Sequence, residues 1–268
     1  MTDNAVEIRD LVKTYGGGRS LFGRKAGEIH AAKGISLDVK RGETLGIVGE
    51  SGSGKSTLAR ILVGLEAPTS GTMQIDGKPW EELAAAGSRA FGRTIQYVFQ
   101  DPVASLNPRK TIGDILDVPL RLLCGYDAGK RASRKKELVD AVQMPLDTLE
   151  RFPHEFSGGQ AQRIAIARAL AAEARILVLD EPVSALDVSV QAQVLLLLQS
   201  LRDELDLSYL FISHDLAVVE SISDRVAVMY LGEVVELNHA AKLFAAPQHD
   251  YTRALIASAP RLDTSGMA

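Results

Sequence analysis

The chain has 268 residues, of which 46% are hydrophobic, 5% aromatic and 24% charged, and its formal net charge at pH 7 is −4. This composition is ordinary for an α/β domain, and the small negative charge gives no electrostatic reason to expect nucleic-acid binding. No apolar run approaches the roughly 18 residues of a membrane span, and the start MTDNAVEIRD lacks the layout of a secretory signal. We therefore expect a cytoplasmic chain that does not itself cross a membrane.

The single cysteine and the densest basic cluster both have ordinary structural interpretations. Cys124 stands alone, which excludes an internal disulfide and an all-cysteine metal cluster within one chain, so we expect its side chain to act as a small buried hydrophobe. The basic cluster comprises Arg131, Arg134, Lys135 and Lys136. Such a cluster is typical of a solvated helix face rather than of a nucleic-acid site.

The amino-terminal part of the chain predicts a β-rich layer around a strand, a turn and a helix. Residues 5–12, 29–39 and 72–76 have the composition of strands. Between the second and third of them, an apolar run at 45–48 leads into a glycine-rich stretch at 49–57. Apolar residues then recur at helical spacing, at Leu58, Ile61, Leu62 and Leu65.

The glycine-rich stretch has the residues needed to hold a triphosphate. It reads Gly49, Glu50, Ser51, Gly52, Ser53, Gly54, Lys55, Ser56 and Thr57. Backbone N–H groups that converge in such a turn, and at the start of a helix, bind a multiply charged anion, and glycine lets the backbone approach it closely. Lys55 is placed to reach the β- and γ-phosphates, and the Ser56 hydroxyl to take one position on Mg²⁺. The alternative is an ordinary Gly/Ser loop that caps a helix.

The middle of the chain predicts an inserted helical subdomain. Helical spacing extends over about residues 111–142. Its apolar side consists of Ile112, Ile115, Leu116 and Leu120. Loop-like segments with proline or paired glycines flank this block at 99–109 and 151–160.

The carboxyl-terminal half alternates strands and helices. A helical segment at 163–171 precedes the apolar strand Ile176–Asp180, and a second apolar strand follows at 209–213. Continuous apolar runs of this kind lie inside parallel sheets. An apolar stripe marks the helix between the two strands: Val190, Val194, Leu197, Leu198, Leu201 and Leu205. This alternation predicts a parallel sheet covered on both faces.

Four polar residues are expected at the carboxyl edge of this sheet, where open α/β sheets bind ligands. Asp180 is placed to hold Mg²⁺, largely through its water shell, and Glu181 to polarise the water that attacks the γ-phosphate. His214, directly after the next strand, favours a γ-phosphate contact. Gln100 closes the strand at 94–100, where it could contact both the metal and the attacking water. Alone, an Asp-Glu pair is common on surfaces, a lone histidine is more often structural, and this glutamine would be an ordinary loop amide.

A second candidate anion site precedes the helix at 163–171. It comprises Ser157, Gly158, Gly159 and Gln160, and its glycines expose backbone N–H groups at or just before a helix start. One nucleotide does not need two such sites, so we infer that this segment contacts a nucleotide held by a neighbouring subunit, with a reciprocal contact in return. The alternative is a plain helix N-cap with a glycine lead-in.

Together these motifs resemble those of the ATP-binding subunits of ABC transporters, in the family order and over nearly the whole chain. Residues 49–57 are similar to the Walker A motif, ILVLDE (176–181) to the Walker B motif with its catalytic glutamate, and FSGGQ (156–160) to the ABC signature. The remaining matches are Gln100 to the Q-loop, SALD ending in Asp187 to the D-loop, His214 to the switch histidine, and Tyr15 to the aromatic residue that stacks on adenine.

The resemblance implies a P-loop NTPase of the RecA-like α/β class, with a mostly parallel sheet core, an antiparallel β layer and an inserted α-helical subdomain. Residues 1–99 and 163–240 would form the nucleotide-binding core with its β subdomain. Residues 100–162 would form the helical subdomain that carries the signature, and 241–268 a short C-terminal extension. ATP and Mg²⁺ are the implied ligands.

A narrower resemblance is to the peptide and nickel uptake branch, in particular to the second of its two paired ATPases. It is carried by residues 98–111, 152–160, 180–194, 209–219 and 248–260. The chain departs from the branch at Phe156, where leucine is usual, at Ala161, where a larger polar residue is common, and at Asp250, where proline is usual. It lacks the cysteine-rich extension of some members, so no iron–sulfur cluster is expected.

The resemblance implies an ATP-hydrolysing motor on the cytoplasmic face of the inner (plasma) membrane. Its partners would be two transmembrane permease subunits, a second ATPase that is either a related chain or a copy of this one, and, indirectly, a solute-binding protein. The solute stays open among peptides, nickel complexes and related small molecules. The alternative is a soluble ABC ATPase of DNA repair or translation, but those members have long coiled coils or paired cassettes, which this sequence lacks. A small-molecule kinase would leave FSGGQ unexplained.

Overall fold

The computed structural model of the chain describes residues 3–16 and 28–258. The described strands are β1 (Asn4–Tyr15), β2 (Ile29–Lys40), β3 (Thr44–Val48), β4 (Ser70–Ile75), β5 (Lys78–Pro79), β6 (Ile95–Val98), β7 (Ile176–Asp180), β8 (Ser208–Ile212), β9 (Arg225–Tyr230) and β10 (Glu233–His239). The described helices are α1 (Lys55–Leu62), α2 (Trp80–Ala86), α3 (Ser88–Thr94), α4 (Pro102–Ser105), α5 (Ile112–Leu122), α6 (Ala128–Ala141), α7 (Gly158–Leu170), α8 (Val188–Leu205), α9 (Leu216–Ile222), α10 (Ala240–Ala245) and α11 (Asp250–Ser258). Two 3-10 turns lie at Leu146–Glu150 and Pro153–Glu155.

The larger sheet has the strand order β10-β9-β3-β8-β7-β6. Strands β6, β7, β8, β3 and β9 pair in parallel, and β10 pairs antiparallel with β9 at the edge. A second, antiparallel sheet has the order β2-β1-β4-β5. The predicted α/β class, a mostly parallel sheet with an antiparallel β layer, is confirmed.

Side chains that alternate along the strands of the larger sheet enter two different cores. In β7, Leu177 and Leu179 join the core that contains the buried faces of α7 and α8. Ile176 and Val178 join the other core, which contains β1, β2 and α1. Each fully buried aliphatic side chain of this kind stabilises the fold by about 1.5–3 kcal/mol. Both faces of the sheet are therefore covered, as the apolar strands predict.

The helical block predicted at 111–142 consists of two helices, because residues 123–127 turn the chain, with Gly125 at φ +69°. The basic cluster on α6 is less solvated than predicted. Arg131 donates to Asp117 of α5 at 2.8 Å, and Lys135 lies 3.5 Å from the same carboxylate. These ion pairs hold α6 against α5, and Arg134 lies 3.7 Å from Glu173, so three of the four residues of the cluster have a structural role.

Helix α7 runs without interruption from the signature segment into the part of the chain that covers the sheet. It contacts α4, α5 and α6 on the side of the helical block, and also α8 and β6. The boundary predicted between residues 162 and 163 lies inside this helix, and the division into subdomains stays a prediction. Of the predicted C-terminal extension, residues 259–268 lie outside the described residues.

Four expectations from sequence are corrected by the structure. Leu65 is 62% exposed, because α1 ends at Leu62 and Gly64, at φ +73°, turns the chain away. Leu205 is exposed at the last turn of α8, where the helix extends past the core. Gln100 lies two residues beyond the end of β6. Cys124 is only partly buried, because it lies in the turn after α5.

None of the helices within the described ranges combines the length and the apolar character needed to span a bilayer.

Candidate functional site

The glycine-rich loop lies at the carboxyl end of β3, a strand that is buried along its whole length. Gly49 has φ +150° and Gly54 has φ +105°, angles that side-chain-bearing residues rarely adopt. A Cβ at Gly49 would lie 2.1 Å from the carbonyl oxygen of Met229, and one at Gly54 would lie 2.2 Å from that of Ala31. The loop is therefore packed closely against β9 and β2 at its two outer glycines, while residues 50–52 between them are exposed.

We expect Gly49→Ala to destabilise the ligand-free protein by about 2 kcal/mol or more, because the added methyl meets a backbone oxygen and the backbone angle is strained. Gly52→Ala is the matched control. Gly52 also has a positive φ, of +82°, but an added Cβ meets nothing within 4 Å there. Urea denaturation of both variants measures the difference. Equal losses of unfolding free energy would contradict the close approach at Gly49.

Helix α1 begins within the glycine-rich stretch, at Lys55, and among the described residues no side chain caps its first turn. The N-cap residue Gly54 has no side chain to accept from the first N–H groups, and the first turn contains no acidic residue. The Ser56 side chain lies exposed in that turn. The first N–H groups of a helix have no partner within the helix itself, and together with the helix dipole they favour a negative ligand at this point.

Lys55 is folded back onto the loop. Its Nζ donates to the carbonyl oxygens of Gly49 at 2.7 Å and Glu50 at 2.8 Å, and the residue is only 7% exposed. Burial lowers the pKa of Lys55, although the carboxylates of Glu181 and Asp180 act in the opposite direction. A buried ammonium with backbone carbonyls as its nearest partners is suited to a charged ligand that would replace them.

Asp180 ends β7 and is held by a tyrosine on the neighbouring strand. The Tyr97 hydroxyl of β6 donates to Asp180 Oδ2. Burial, and then this hydrogen bond, raise the pKa of Tyr97, so the phenol stays protonated and remains a donor. Sequence reasoning missed Tyr97. The available signal was its position in β6, next to the strand that ends in the carboxylate.

Gln100, Glu181 and His214 meet at the carboxyl edge of the sheet. The Gln100 Nε2 donates to Glu181 Oε2 at 2.9 Å, and His214 Nδ1 lies 3.1 Å from Glu181 Oε1. Both oxygens of one carboxylate are thereby oriented by polar side chains from two other segments. The convergence expected of residues at strand ends is present, although Gln100 reaches it from a loop.

The backbone at Glu181 explains why its side chain faces this edge. Glu181 adopts a left-handed φ of +49°, and its N–H donates to the carbonyl oxygen of Ile212 at 2.8 Å. A positive φ is uncommon for a residue with a side chain and is found at functional sites, where the surrounding structure compensates for the strain. Here the hydrogen bond that Glu181 donates to β8 fixes that conformation directly after β7.

In the single chain, the segment Ser157–Gln160 forms an N-cap. Ser157 Oγ accepts from the Gln160 N–H at 3.4 Å, and Gln160 Oε1 accepts from the Ser157 N–H at 3.0 Å. The alternative considered from sequence, a helix cap, is therefore present, and it is compatible with a further role. Among the hydrogen bonds of the described residues, none joins this segment to the loop at 49–57.

The two signature glycines allow α7 to approach the start of α8. A Cβ at Gly159 would lie 2.3 Å from Val190 Cγ1, and one at Gly158 would lie 3.3 Å from Leu186 Cδ2. Asp187 caps α8 by accepting from the Val190 N–H at 2.9 Å. Hydrogen bonds from the Ser189 hydroxyl and the Val190 amide lower the pKa of Asp187. The signature segment and the D-loop segment are thus neighbours in one packed unit.

Tyr15 lies at the end of β1. Its hydroxyl donates to Glu66, and the Lys13 ammonium lies 4.9 Å from the centre of its ring. Burial, followed by the bond to Glu66, raises the pKa of Tyr15. The ring is therefore anchored by its hydroxyl on the side of the molecule that carries α1 and the loop.

The donor set fits both a nucleotide and Mg²⁺. Glycine backbone, exposed helix N–H groups and a buried lysine suit phosphates. The Ser56 hydroxyl, the Gln100 amide and the Asp180 carboxylate are hard oxygen donors of the kind that Mg²⁺ prefers. Within the described part of the chain, no group of three or more His, Cys, Asp or Glu side chains could hold a metal ion. A cation here would take its remaining ligands from water or from phosphate oxygens.

The fold and the carboxyl edge of the larger sheet define a class of protein. It is an α/β nucleotide-binding domain with a glycine-rich phosphate loop (P-loop) after β3 and the Glu181 carboxylate after β7. A family model described as "ABC transporter" matches residues 32–184. The chain is 48% identical over 259 residues to the oligopeptide transport ATP-binding protein AppF of Bacillus subtilis (strain 168). This alignment covers 96% of this chain and 79% of AppF. It is 49% identical over 259 residues to the oligopeptide transport ATP-binding protein OppD of Mycobacterium tuberculosis. This alignment covers 96% of this chain and 42% of OppD.

A solved structure gives the same result at the level of the fold. The dimeric post-hydrolysis state of the ATP-binding cassette MJ0796, bound to ADP and Pi, is 30% identical and superposes with a TM-score of 0.75 over 88% of this chain and 98% of that chain. The chain belongs to the ABC transporter family as an ATP-binding domain, and it is an ATPase.

Proposed function

We propose that this chain is the ATP-hydrolysing subunit that powers a peptide importer. The observation that carries the proposal is the high identity to AppF and OppD, both named for oligopeptide transport, over 96% of the chain. Solutes related to peptides, including nickel complexes, are the other cargo of the branch that the sequence resembles. The geometry at the sheet edge supports the ATPase part of the proposal independently of those names.

ATP is bound by the loop at 49–57, with Lys55 on the β- and γ-phosphates. Lys55 donates to the carbonyls of Gly49 and Glu50 in the ligand-free chain, and the anionic phosphate oxygens compete for the same ammonium as stronger, oppositely charged acceptors. Tyr15 stacks on the adenine. Ser56, Asp180 and Gln100 hold Mg²⁺, and the ion, when bound, neutralises charge on the phosphate oxygens.

Hydrolysis takes place beside Glu181. A water oxygen adds to the γ-phosphorus while the bond from that phosphorus to the β–γ bridging oxygen breaks, which yields ADP and inorganic phosphate. The Glu181 carboxylate polarises the water and accepts its proton. Gln100 and His214 orient the carboxylate in the single chain, and in the assembled site His214 contacts the γ-phosphate.

Each site is composite, with ATP held between two ATPase domains. The signature residues Ser157–Gln160 and the D-loop residue Asp187 contact a nucleotide bound to the P-loop of the companion, and the companion returns the contact. The dimeric arrangement of the MJ0796 cassette with ADP and Pi supports this interpretation. The companion is a related chain or a second copy of this one.

Two membrane permease subunits dock on the helical block, at the cytoplasmic face of the membrane, and a solute-binding protein delivers the cargo to them. A groove of about 550 Å³ between α4 and α5 supports this location. Val118 lines this groove and is 46% exposed, and Phe99 (40%) and Val103 (43%) are exposed on the segment that leads to Ser105 of the same groove. Exposed apolar surface of this kind marks a docking site, and Gln100 connects it to the ATP.

The proposed function is tested by assembling the chain in proteoliposomes with the two permease subunits and the second ATPase of a candidate peptide importer. We expect oligopeptide-loaded binding protein to stimulate phosphate release several-fold over binding protein alone, because the cargo signal reaches the ATPase through the permease. The same phosphate release is measured with a tenfold excess of a nickel chelate in place of the oligopeptide, and we expect less stimulation. Co-purification with nucleic acid or ribosomes in place of permeases would contradict the proposal and favour a soluble ABC ATPase.

A further inference from the structure

The last described helix, α11, touches the phosphate loop. Its residue Tyr251 accepts a hydrogen bond from the Glu50 N–H at 3.1 Å, across 201 positions of sequence. The carbonyl oxygen of the same Glu50 accepts from Lys55 Nζ at 2.8 Å. Residue Glu50 is therefore held on its N–H side by the C-terminal helix and on its carbonyl side by the phosphate-binding lysine.

The Tyr251 ring has a fixed place beside the loop. It packs on Tyr230 with the two ring centres 4.1 Å apart and the planes tilted by 32°. Tyr230 is the last residue of β9, directly after Met229, whose carbonyl oxygen sets the close approach at Gly49. The pair of tyrosine rings therefore lies next to the end of β9, where Gly49 of the phosphate loop approaches Met229.

Helix α11 is anchored at its start by a buried carboxylate on β10. Glu236 is 9% exposed and accepts from the N–H groups of Gln248 at 2.9 Å and His249 at 3.0 Å. Burial alone would raise the pKa of Glu236, but these amide hydrogen bonds outweigh burial and lower it. Farther along, Thr252 is fully buried and Leu255 packs against the core. This segment is therefore a docked part of the domain.

We propose that Tyr251 is a positioning residue that pre-organises the phosphate loop for ATP, so that the C-terminal helix sets the nucleotide affinity of the site. Lys55 has three N–H donors and gives two of them to the carbonyls of Gly49 and Glu50, so binding the phosphates redistributes these donors and weakens the inner contact on Glu50. The Tyr251 hydroxyl still accepts from the Glu50 N–H when ATP is bound. This contact already restricts the loop before binding, so the loop loses less conformational entropy when it binds ATP. The inference rests on the proposed function, because it assumes that ATP occupies this loop.

The coupling is reciprocal. If docked α11 strengthens ATP binding, ATP must strengthen the docking of α11 by the same factor. Any partner that lifts this helix from β9 and β10 would therefore weaken nucleotide binding without touching a phosphate. The described part of the C-terminal motif at 248–260 contains Tyr251 and the amides that Glu236 binds, so the motif obtains a role at the ATP site in this way.

The test compares Tyr251→Phe with Tyr230→Phe in the full-length chain. Each variant loses one hydroxyl from the same stacked pair, and only the first loses the contact with Glu50. ATP dissociation constants are measured by titration calorimetry with Mg²⁺. We expect Tyr251→Phe to weaken ATP binding about 3- to 10-fold, the factor that corresponds to one ordinary hydrogen bond, and Tyr230→Phe less than about twofold.

Two further readouts separate positioning from a general loss of structure. Tyr251→Phe should raise the KM for ATP by a similar factor with kcat nearly unchanged. Glu236→Gln, which weakens the anchor of α11 and leaves the phenol intact, should also weaken ATP binding, and it keeps the inference testable if Tyr251→Phe folds poorly. An unchanged ATP affinity in Tyr251→Phe, or an equal loss in Tyr230→Phe, would overturn the inference.

This failure is distinguishable from failure of the proposed function. If the wild-type chain binds ATP and Lys55→Ala does not, the phosphate loop is the site whatever Tyr251 does. If Lys55→Ala binds ATP as well as wild type, both the site assignment and this inference are wrong.

Discussion

Glu181→Gln is expected to reduce ATP turnover by about 100-fold or more while ATP binding is retained. Glutamine preserves the size of the side chain and can still contact Gln100 and His214, but it carries no charge and cannot accept the proton of the attacking water. With hydrolysis blocked, the ATP that joins the two ATPase domains stays in place, so a dimer should accumulate. Phosphate release and analytical ultracentrifugation with ATP measure the two effects.

The control for this variant is Glu82→Gln, an exposed glutamate on α2. We expect its turnover to stay within about twofold of wild type, because isolated surface substitutions have small effects. Normal steady-state hydrolysis in Glu181→Gln would remove Glu181 from its role as the base. Loss of turnover together with loss of ATP binding would indicate a collapsed site rather than a missing proton acceptor.

Lys55→Ala is expected to weaken ATP binding by about 100-fold or more. The substitution removes a buried cation whose charge-assisted hydrogen bonds to phosphate are each worth about 1.5–3 kcal/mol. It also leaves the carbonyls of Gly49 and Glu50 without the partner that they have in the ligand-free chain. Titration calorimetry with ATP gives the affinity, and circular dichroism establishes that the variant is folded.

Lys242→Ala serves as the matched control, because it removes an exposed lysine on α10. Its ATP affinity should equal that of wild type. Lys55→Arg adds a second comparison, since it keeps the charge but cannot occupy the same buried position, and we expect it to bind ATP weakly as well. Unchanged ATP binding in Lys55→Ala would contradict the assignment of the phosphate loop.

Most of the fold follows from local patterns in the sequence. Residues 176–179 of β7 and 209–212 of β8 are buried, continuous apolar runs, and runs of this kind identify the interior of a parallel sheet. Where the pattern misleads, the reason is local. Leu65 continues the helical spacing of α1, but Gly64 ends that helix, and Leu205 lies where α8 extends past the core. The spacing of apolar residues in the sequence does not indicate at which residue a helix stops packing against the core.

The candidate site is predictable to the extent that it lies at strand ends. Glu181 and His214 follow successive parallel strands and therefore had to meet at one edge, while Gln100 joins them from a loop. Tyr97 has a partial signal in its strand position. Tyr251 has none, because its contact with Glu50 spans 201 residues and depends on how β10 places α11. Contacts of this kind are decided by tertiary packing.

The signature segment at 157–160 shows that a single chain does not reveal every role of a residue. Ser157 and Gln160 satisfy each other in a capping box within one chain, and Gly159 is required by its close approach to Val190. These observations account for the residue types through local packing alone. A contact with the nucleotide of a companion subunit is an additional claim, which a single chain does not test.

That claim is tested most directly by a cryo-EM map of the Glu181→Gln assembly loaded with ATP and Mg²⁺. We predict that Ser157 Oγ and the Gly159 N–H lie within hydrogen-bond distance of the γ-phosphate of an ATP bound to the companion's P-loop. A map in which both groups face bulk solvent, far from any nucleotide, would contradict the composite site and the motor that depends on it.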